Sequence, residues 1–358
     1  MKSVLNYGYL SPRIRGKKSF FLVKGDYDAM LAAENPATAL RRLENTRYRP
    51  YVSQLLLEEF SLPKAERMLF QSYQDEVAFV VKNLKERHAR EFFEEFGRSL
   101  ELRALTEVIK SIIMEVPWAE ASTYIFPYGR ISYELCQSLV EARNLKRSLE
   151  LLRDKKLEAE VGEILEEAVE PAVKSVRVEA AITRHVYGRL WEKALLLKGM
   201  DRTCIKLFGI QVDIINLMTA LRMKKLGFTP ERIMESLVPA YYKLREAELR
   251  AAASTATEKD AAKAFAGGYY GLTLSPLLGA YEVRGDLSIF EVALKRMHAS
   301  ECLKAFYSIF HLGEALAYLY LKLYEVRDLV AILAGKVMGI PVGKIEPSLI
   351  LHQPPYPL

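Results

Sequence analysis

Apolar residues at Ile210, Ile214, Leu217 and Leu221 recur at steps of four, three and four, a spacing that lays them on one face of a helix with the charge opposite. The pattern returns near the C-terminus through Val326, Leu329, Leu333 and Val337. Residues 212–238 and 324–350 align at a constant offset of 112, pairing Asp213 with Glu325, Leu217 with Leu329, Leu221 with Leu333, Lys224 with Lys336, Gly227 with Gly339, Ile233 with Ile345, and Ser236 with Ser348. Each copy reads as a helix, a stop and a second helix. Lys224 and Lys336 fall in the last turn, where a cation meets the negative end of the helix dipole, and Gly227 and Gly339 follow where a left-handed residue ends the helix. Thr229-Pro230-Glu231 restarts it with a cap, a proline at the first helical position and an acid in the first turn.

A period of 112 residues exceeds that of short helical-hairpin solenoids and suits a chain of two or three similar domains. Three fit the length of 358 residues, with boundaries expected at 1–118, 119–238 and 239–358. The first copy is the weakest, inferred from Tyr9, Arg13, Arg15, Gly16 and Lys17 leading into Phe20, Phe21 and Leu22. Residues 3–21 read as a basic helix or helix pair broken near Pro12, and 63–114 as helical almost throughout. No convincing run of alternating strand positions is seen, so the expected fold is all-α.

Composition agrees with a folded soluble protein: 50% of residues are hydrophobic and 27% charged, with a net charge of +6. That charge is modest for the length, and no basic run is interleaved with the stacking aromatics that a single-strand nucleic-acid binder needs, so nucleic acid is not expected as a partner. Cys136, Cys204 and Cys302 lie far apart, which points to a reducing compartment. The N-terminus lacks the apolar core and cleavage site of a secretory signal, and the apolar stretch 306–334 is interrupted by His311, Glu314, Lys322, Glu325, Arg327 and Asp328. A cytoplasmic protein without a membrane span is expected.

Catalytic motifs are absent. Gly339 to Lys344 mimics a phosphate loop, but its glycines are one residue too close and Ile345 stands where a Ser or Thr is required. His88, His185, His298, His311 and His352 make no metal-ligand spacing with one another or with the cysteines, and no Gly-x-Ser-x-Gly occurs. No catalytic residue, cofactor, metal or small-molecule substrate is therefore expected. What remains is charge at equivalent places: Arg222 and Lys224 in one copy, Lys336 in another, and Arg13, Arg15 and Lys17 as a third position able to ring an opening. The competing reading of the same cations is compensation of helix dipoles.

Several stretches, in order, carry a likeness: Tyr9 followed by Arg13-Ile14-Arg15-Gly16-Lys17-Lys18; Leu43-Glu44-Asn45-Thr46-Arg47-Tyr48; Pro127-Tyr128-Gly129-Arg130; Met200-Asp201-Arg202; Asp213-Ile214-Ile215-Asn216-Leu217; and Glu325-Val326-Arg327-Asp328-Leu329 with Gly335-Lys336. Together they resemble the C-subunit family (the d subunit of eukaryotes) of A-type and V-type rotary ATPases over nearly the whole chain. A charged insertion around 145–176 and a missing glycine in the first unit depart from the pattern. The resemblance implies a funnel of three similar helical lobes about a pseudo-threefold axis, peripheral on the cytoplasmic face of the membrane. Such a protein sits on the proteolipid rotor ring, receives the foot of the central shaft of subunits D and F, and transmits rotation without an active site of its own. On that reading Arg13, Arg15, Lys17, Arg222, Lys224 and Lys336 line or approach the shaft socket or the ring. The competing expectation is a helical adaptor with unrelated partners.

Overall fold

A computed structural model describes residues 6–122, 124–197 and 201–352. Met200 of the Met200-Asp201-Arg202 stretch, the first five residues and the tail after His352 lie outside the described residues. The described chain is helical, and its only extended pairing is an isolated bridge between Tyr128 and Ile131. In chain order the helices that matter most are α1 (Leu10–Lys18), α2 (Lys24–Leu31), α3 (Pro36–Arg41), α4 (Leu62–Asn83), α5 (Arg87–Ile113), α6 (Tyr133–Glu141), α7 (Glu246–Ala253), α8 (Glu258–Ala264) and α9 (Leu312–Val337), with a further long helix, Arg202–Lys225, between α6 and α7. The break expected near Pro12 falls just before it: Asn6 and Tyr7 are helical, Gly8 and Tyr9 form a turn, and α1 starts at Leu10 with Pro12 in its first turn, where its missing N–H is no loss. The stretch 63–114 is two helices, α4 and α5.

Contacts divide the chain into two compact units, one of residues 1–93, 197–207 and 295–358, the other of 94–196 and 208–294. In the first unit α9 is the central element. Every residue from Leu312 to Val326 is buried, so this helix is wrapped on all faces, against α4, α1 and α3. Its start is held by Asp201, whose carboxylate accepts from Gly313 N at 3.0 Å and from Cys204 N at 2.8 Å, capping the Arg202–Lys225 helix as well. That second long helix meets the length and hydropathy of a membrane span, but most of it is buried within the protein, and no other helix among the described residues does so. Its apolar length is therefore that of a core helix.

Helix ends follow their sequence signals. Thr229 accepts from Arg232 N, Thr257 from Asp260 N, Asn35 from Thr38 N and Ser132 from Leu135 N. Each satisfies one of the four amide donors that the first turn leaves open. The three cysteines are buried and free.

Candidate functional site

One arrangement occurs three times, and it is built from a long helix and the segment that folds back on it. The long helices α5, Arg202–Lys225 and α9 end identically. Val116 N donates to Ser111 O at 2.9 Å, Phe228 N to Met223 O at 3.1 Å and Ile340 N to Gly335 O at 2.8 Å, each bond reaching back five residues over a left-handed residue. That residue is Glu115 with φ 55°, Gly227 with φ 76° and Gly339 with φ 65°. The three positions are spaced by 112.

An acid stands at the same height on each helix: Glu101, Asp213 and Glu325, again spaced by 112. Glu101 accepts from Arg130 N at 3.0 Å, and Asp213 accepts from Tyr242 N at 2.9 Å, the residue 112 further on. Asp213 also takes Lys243 N, Leu244 N at 2.9 Å and the Tyr270 hydroxyl at 2.8 Å. Glu325 takes Leu22 N at 2.7 Å and the Tyr48 hydroxyl at 2.7 Å. Leu22 and Tyr48 precede Leu244 and Tyr270 by the same 222 residues. The N-terminal segment thus closes on the last long helix as 244–270 closes on Arg202–Lys225, and the copy inferred at Arg13 from sequence has its counterpart instead at Glu101. A second polar pair repeats: Val238 N donates to Asn216 Oδ1 at 2.8 Å, and Ile350 N to Asp328 Oδ1 at 2.7 Å.

Asp213, Glu325 and Asp328 are buried, and Glu101 nearly so, because they tie loops that no ladder satisfies. Burial raises the carboxyl of Asp213, and the three backbone donors and Tyr270 pull against that. Asp328 is raised to about 7 by burial, opposed by Ile350 N and Leu351 N. Beside Glu325 the ammonium of Lys322 lies 3.1 Å from Oε1 and 3.7 Å from the centre of the Tyr48 ring, and burial lowers it to about 8. His298 is buried between Tyr324 Oη at 2.8 Å and Leu207 O at 3.0 Å, and burial lowers it to about 4. At neutral pH it is a neutral structural bridge.

The six candidate cations occupy varied surroundings. Lys224 Nζ donates to the carbonyl of Ala253, the last residue of α7, at 3.0 Å, and Lys336 Nζ to Leu31 O, the last residue of α2, at 2.9 Å and to Ala33 O. Each lysine therefore serves two helix ends, its own and its neighbour's, and Leu31 and Ala253 are again 222 apart. The corresponding residue at the end of α5 is Ile112, so the third copy lacks this cation. Arg222 pairs with Glu291 at 2.5 Å and approaches Glu179 at 3.8 Å. Arg15 pairs with Glu314 at 2.5 Å and donates to Phe306 O at 2.9 Å and to Ser308 O. Lys17 pairs with Glu76, which also receives Arg47. Arg13 is exposed, stacked 3.9 Å over the Tyr9 ring, and among the described residues it meets no carboxylate.

A cavity of about 210 Å³ in the second unit is lined in part by Arg177, Arg184 and Arg232. Each is paired with a glutamate, Glu167, Glu160 and Glu235 respectively. Among the described residues no three His, Cys, Asp or Glu side chains converge as a metal site would require.

Relatives carry the name of the C subunit of A-type ATP synthase. That of Methanocaldococcus jannaschii is 21% identical over 96% of this chain and 86% of its own length, and that of Methanothermobacter thermautotrophicus 25% identical over 82% and 75%. For the Desulfurococcus sp. (strain SY) protein the figures are 24% identity over 65% of this chain and 61% of the relative. The family described as ATP synthase (C/AC39) subunit matches residues 10–347. A family match spanning nearly the whole chain, with relatives of that name along it, leads to one assignment: this protein belongs to the ATP synthase (C/AC39) subunit family.

Proposed function

We propose that the chain is a non-catalytic rotor subunit of an A/V-type ATPase, linking the shaft of subunits D and F to the membrane proteolipid ring and passing torque between them. Ion transport and ATP turnover belong to its neighbours in the complex, and the protein lies peripherally on the cytoplasmic face. The observation that supports this most is the threefold recurrence of one helix-end arrangement in a chain of this family. Three similar helical bundles about a pseudo-threefold axis, forming a funnel, follow as part of the same proposal. The boundaries expected near 118 and 238 enter it with one change: the N-terminal segment joins the third bundle, as its bonds to Glu325 favour. Close-packed bundles suit torque transmission because dense interiors deform little.

Within the candidate set Arg13, Arg15, Lys17, Arg222, Lys224 and Lys336, the proposal assigns partner contact first to Arg13, which has no acid beside it, and to Arg222, which is half exposed. Lys224 and Lys336 act by holding helix ends, each within its own unit. Charge reversal at Arg13 and Arg222 is expected to weaken binding to the D–F shaft or to the detergent-solubilised ring and to reduce its dependence on salt. Unchanged affinity of the double variant for both at low ionic strength removes these residues from the contact. Binding to neither partner by the unaltered chain favours the adaptor reading instead.

A further inference from the structure

The segment 305–311 enters α9 through a strained turn. Phe310 takes a left-handed backbone with φ 61°, which a residue with a side chain adopts only at a cost. Its N–H donates to Ser11 Oγ at 3.2 Å, and Arg15 donates to Phe306 O and Ser308 O. Along the turn Tyr307 is 88% exposed and Ile309 56%. His311, the N-cap residue of α9, is bonded back into the same turn. Its Nε2 lies 2.9 Å from Ala305 O and 3.0 Å from Ser308 Oγ. Its Nδ1 faces Asp201 Oδ2 at 3.8 Å, close enough for an ion pair and too far for an ordinary hydrogen bond. Asp201 is buried and already accepts from Gly313 N and Cys204 N. Nδ1 is itself buried, and among the described residues it has no hydrogen-bond partner. The start of α9 crowds that edge of the ring, since a Cβ added at Gly313 would stand 2.9 Å from Nδ1.

Ser308, His311 and Asp201 stand in the order of a hydrolytic triad, but Ala305 O occupies the edge of Nε2 that a general base must leave bare, so the serine is not activated. The same contacts bear on the proton count. A proton on Nε2 alone satisfies Ala305 O and turns the Nδ1 lone pair toward the Asp201 carboxylate. A proton on Nδ1 alone sets the Nε2 lone pair against Ala305 O. Each neutral tautomer therefore opposes two acceptors, and only the imidazolium, a donor on both edges, suits both neighbours. We propose that protonated His311 is a latch: it bridges Asp201 to Ala305 O and holds the strained turn 305–311 closed, and loss of its proton releases the turn with Tyr307 and Ile309 on it. Histidine is the side chain that changes charge between about pH 5 and 8. The charged form belongs to the closed turn, so closure is complete on the acid side and is lost as pH rises. The other ionisable groups around it have their own partners or stay neutral. Arg15 pairs with Glu314, Glu301 takes Lys206 and Lys304, and Glu86 accepts from His88 N and Ala89 N. Burial pushes the Tyr7 hydroxyl and the Cys204 thiol up, and Lys18 Nζ lies 5.3 Å from the centre of the Phe306 ring. The latch goes beyond the rotor reading, because it concerns the chain alone.

The test is amide hydrogen exchange of the full chain, read by mass spectrometry in peptides spanning 306–314 across roughly pH 5 to 8, the window of histidine titration, and corrected for the intrinsic rate. Protection of this segment is expected to fall about tenfold or more as pH rises, the loss of one charge-assisted contact. The fall persists in Ser308→Ala and in Glu66→Gln, which removes a different buried carboxyl that titrates. It is absent from His311→Gln, whose side chain is neutral throughout and whose segment exchanges fast even in acid. Exchange of the imidazole Cε1–H in the same digests follows the titration of His311 in the unaltered chain, and its midpoint coincides with that of the release, a readout that needs no variant. A flat profile of the unaltered chain overturns the proposal, as do separate midpoints for His311 and the turn. Survival of the pH dependence in His311→Gln assigns it to another group, and its loss in Ser308→Ala assigns it to the serine; either result overturns the latch.

Discussion

Gly227→Ala and Gly339→Ala should each destabilise the protein by about 1 kcal/mol, whereas Glu115→Gly should leave stability within about 1 kcal/mol of the parent. The three residues close the same turn with φ of 76°, 65° and 55°. A side chain in this left-handed conformation costs roughly 1–2 kcal/mol, because its Cβ approaches the following carbonyl oxygen. No heavy atom lies within 4 Å of a Cβ added at Gly227 or Gly339, so packing contributes nothing and the backbone cost stands alone. Replacing glycine also removes freedom from the unfolded chain, worth about 0.4–1 kcal/mol in the opposite sense, which leaves a net loss near 1 kcal/mol. For Glu115→Gly the two contributions reverse. The solvent-exposed pair of Glu115 with Arg143 at 3.3 Å is lost as well, a change of about 0–1 kcal/mol. The assay is the urea midpoint at constant m, with each variant compared with the parent. Neutral or stabilising alanines, or a glycine at 115 that costs more than 1 kcal/mol, would refute the equivalence of the three helix ends.

Glu66 is buried without a partner at Oε2, and desolvation raises its carboxyl from 4.5 to about 8. Its folded-state value is the higher one, so stability is greatest below the unfolded value and falls as pH rises from about 4.5 through about 8, by on the order of 4 kcal/mol. Glu66→Gln should flatten that decline, and an identical pH profile of urea midpoints in parent and variant speaks against it. Tyr48→Phe and Tyr270→Phe each remove a hydrogen bond to a buried carboxylate and should cost about 1–3 kcal/mol, read as lowered midpoints. Similar losses are expected because the two hydroxyls do the same work in two copies; a loss at one position only counts against that. Lys336→Met leaves Leu31 O and Ala33 O without their donor and should lower stability by about 1–2 kcal/mol, measured in the same way. No loss would mean that water replaces the ammonium at that helix end.

The helix, stop and restart at 212–238 and 324–350 were legible in the sequence because the signals were local: apolar steps, a lysine in the last turn, a glycine, then a proline at Pro230 or Pro341. The third copy was hidden at just those places. Glu115 stands where the other copies have glycine, and Ile112 where they have lysine. The signal able to reveal it was the acid Glu101 with Arg130, spaced by 112 from Asp213 with Tyr242. Closure of the N-terminus on α9 lay beyond any local pattern, since Leu22 and Tyr48 stand 303 and 277 residues from Glu325. For the cations, charge at equivalent positions was visible but the acceptors were not. Lys224 and Lys336 reach the carbonyl ends of neighbouring helices, which spacing along one helix does not report.

The measurement that bears most directly on the rotor proposal is co-elution of the purified full chain with the D–F shaft at low and high salt. A stable complex with one copy of each component is expected, weakened at high salt where exposed charge contributes to the contact. A chain that elutes alone at both salt concentrations, and alone again with the detergent-solubilised ring, contradicts the account.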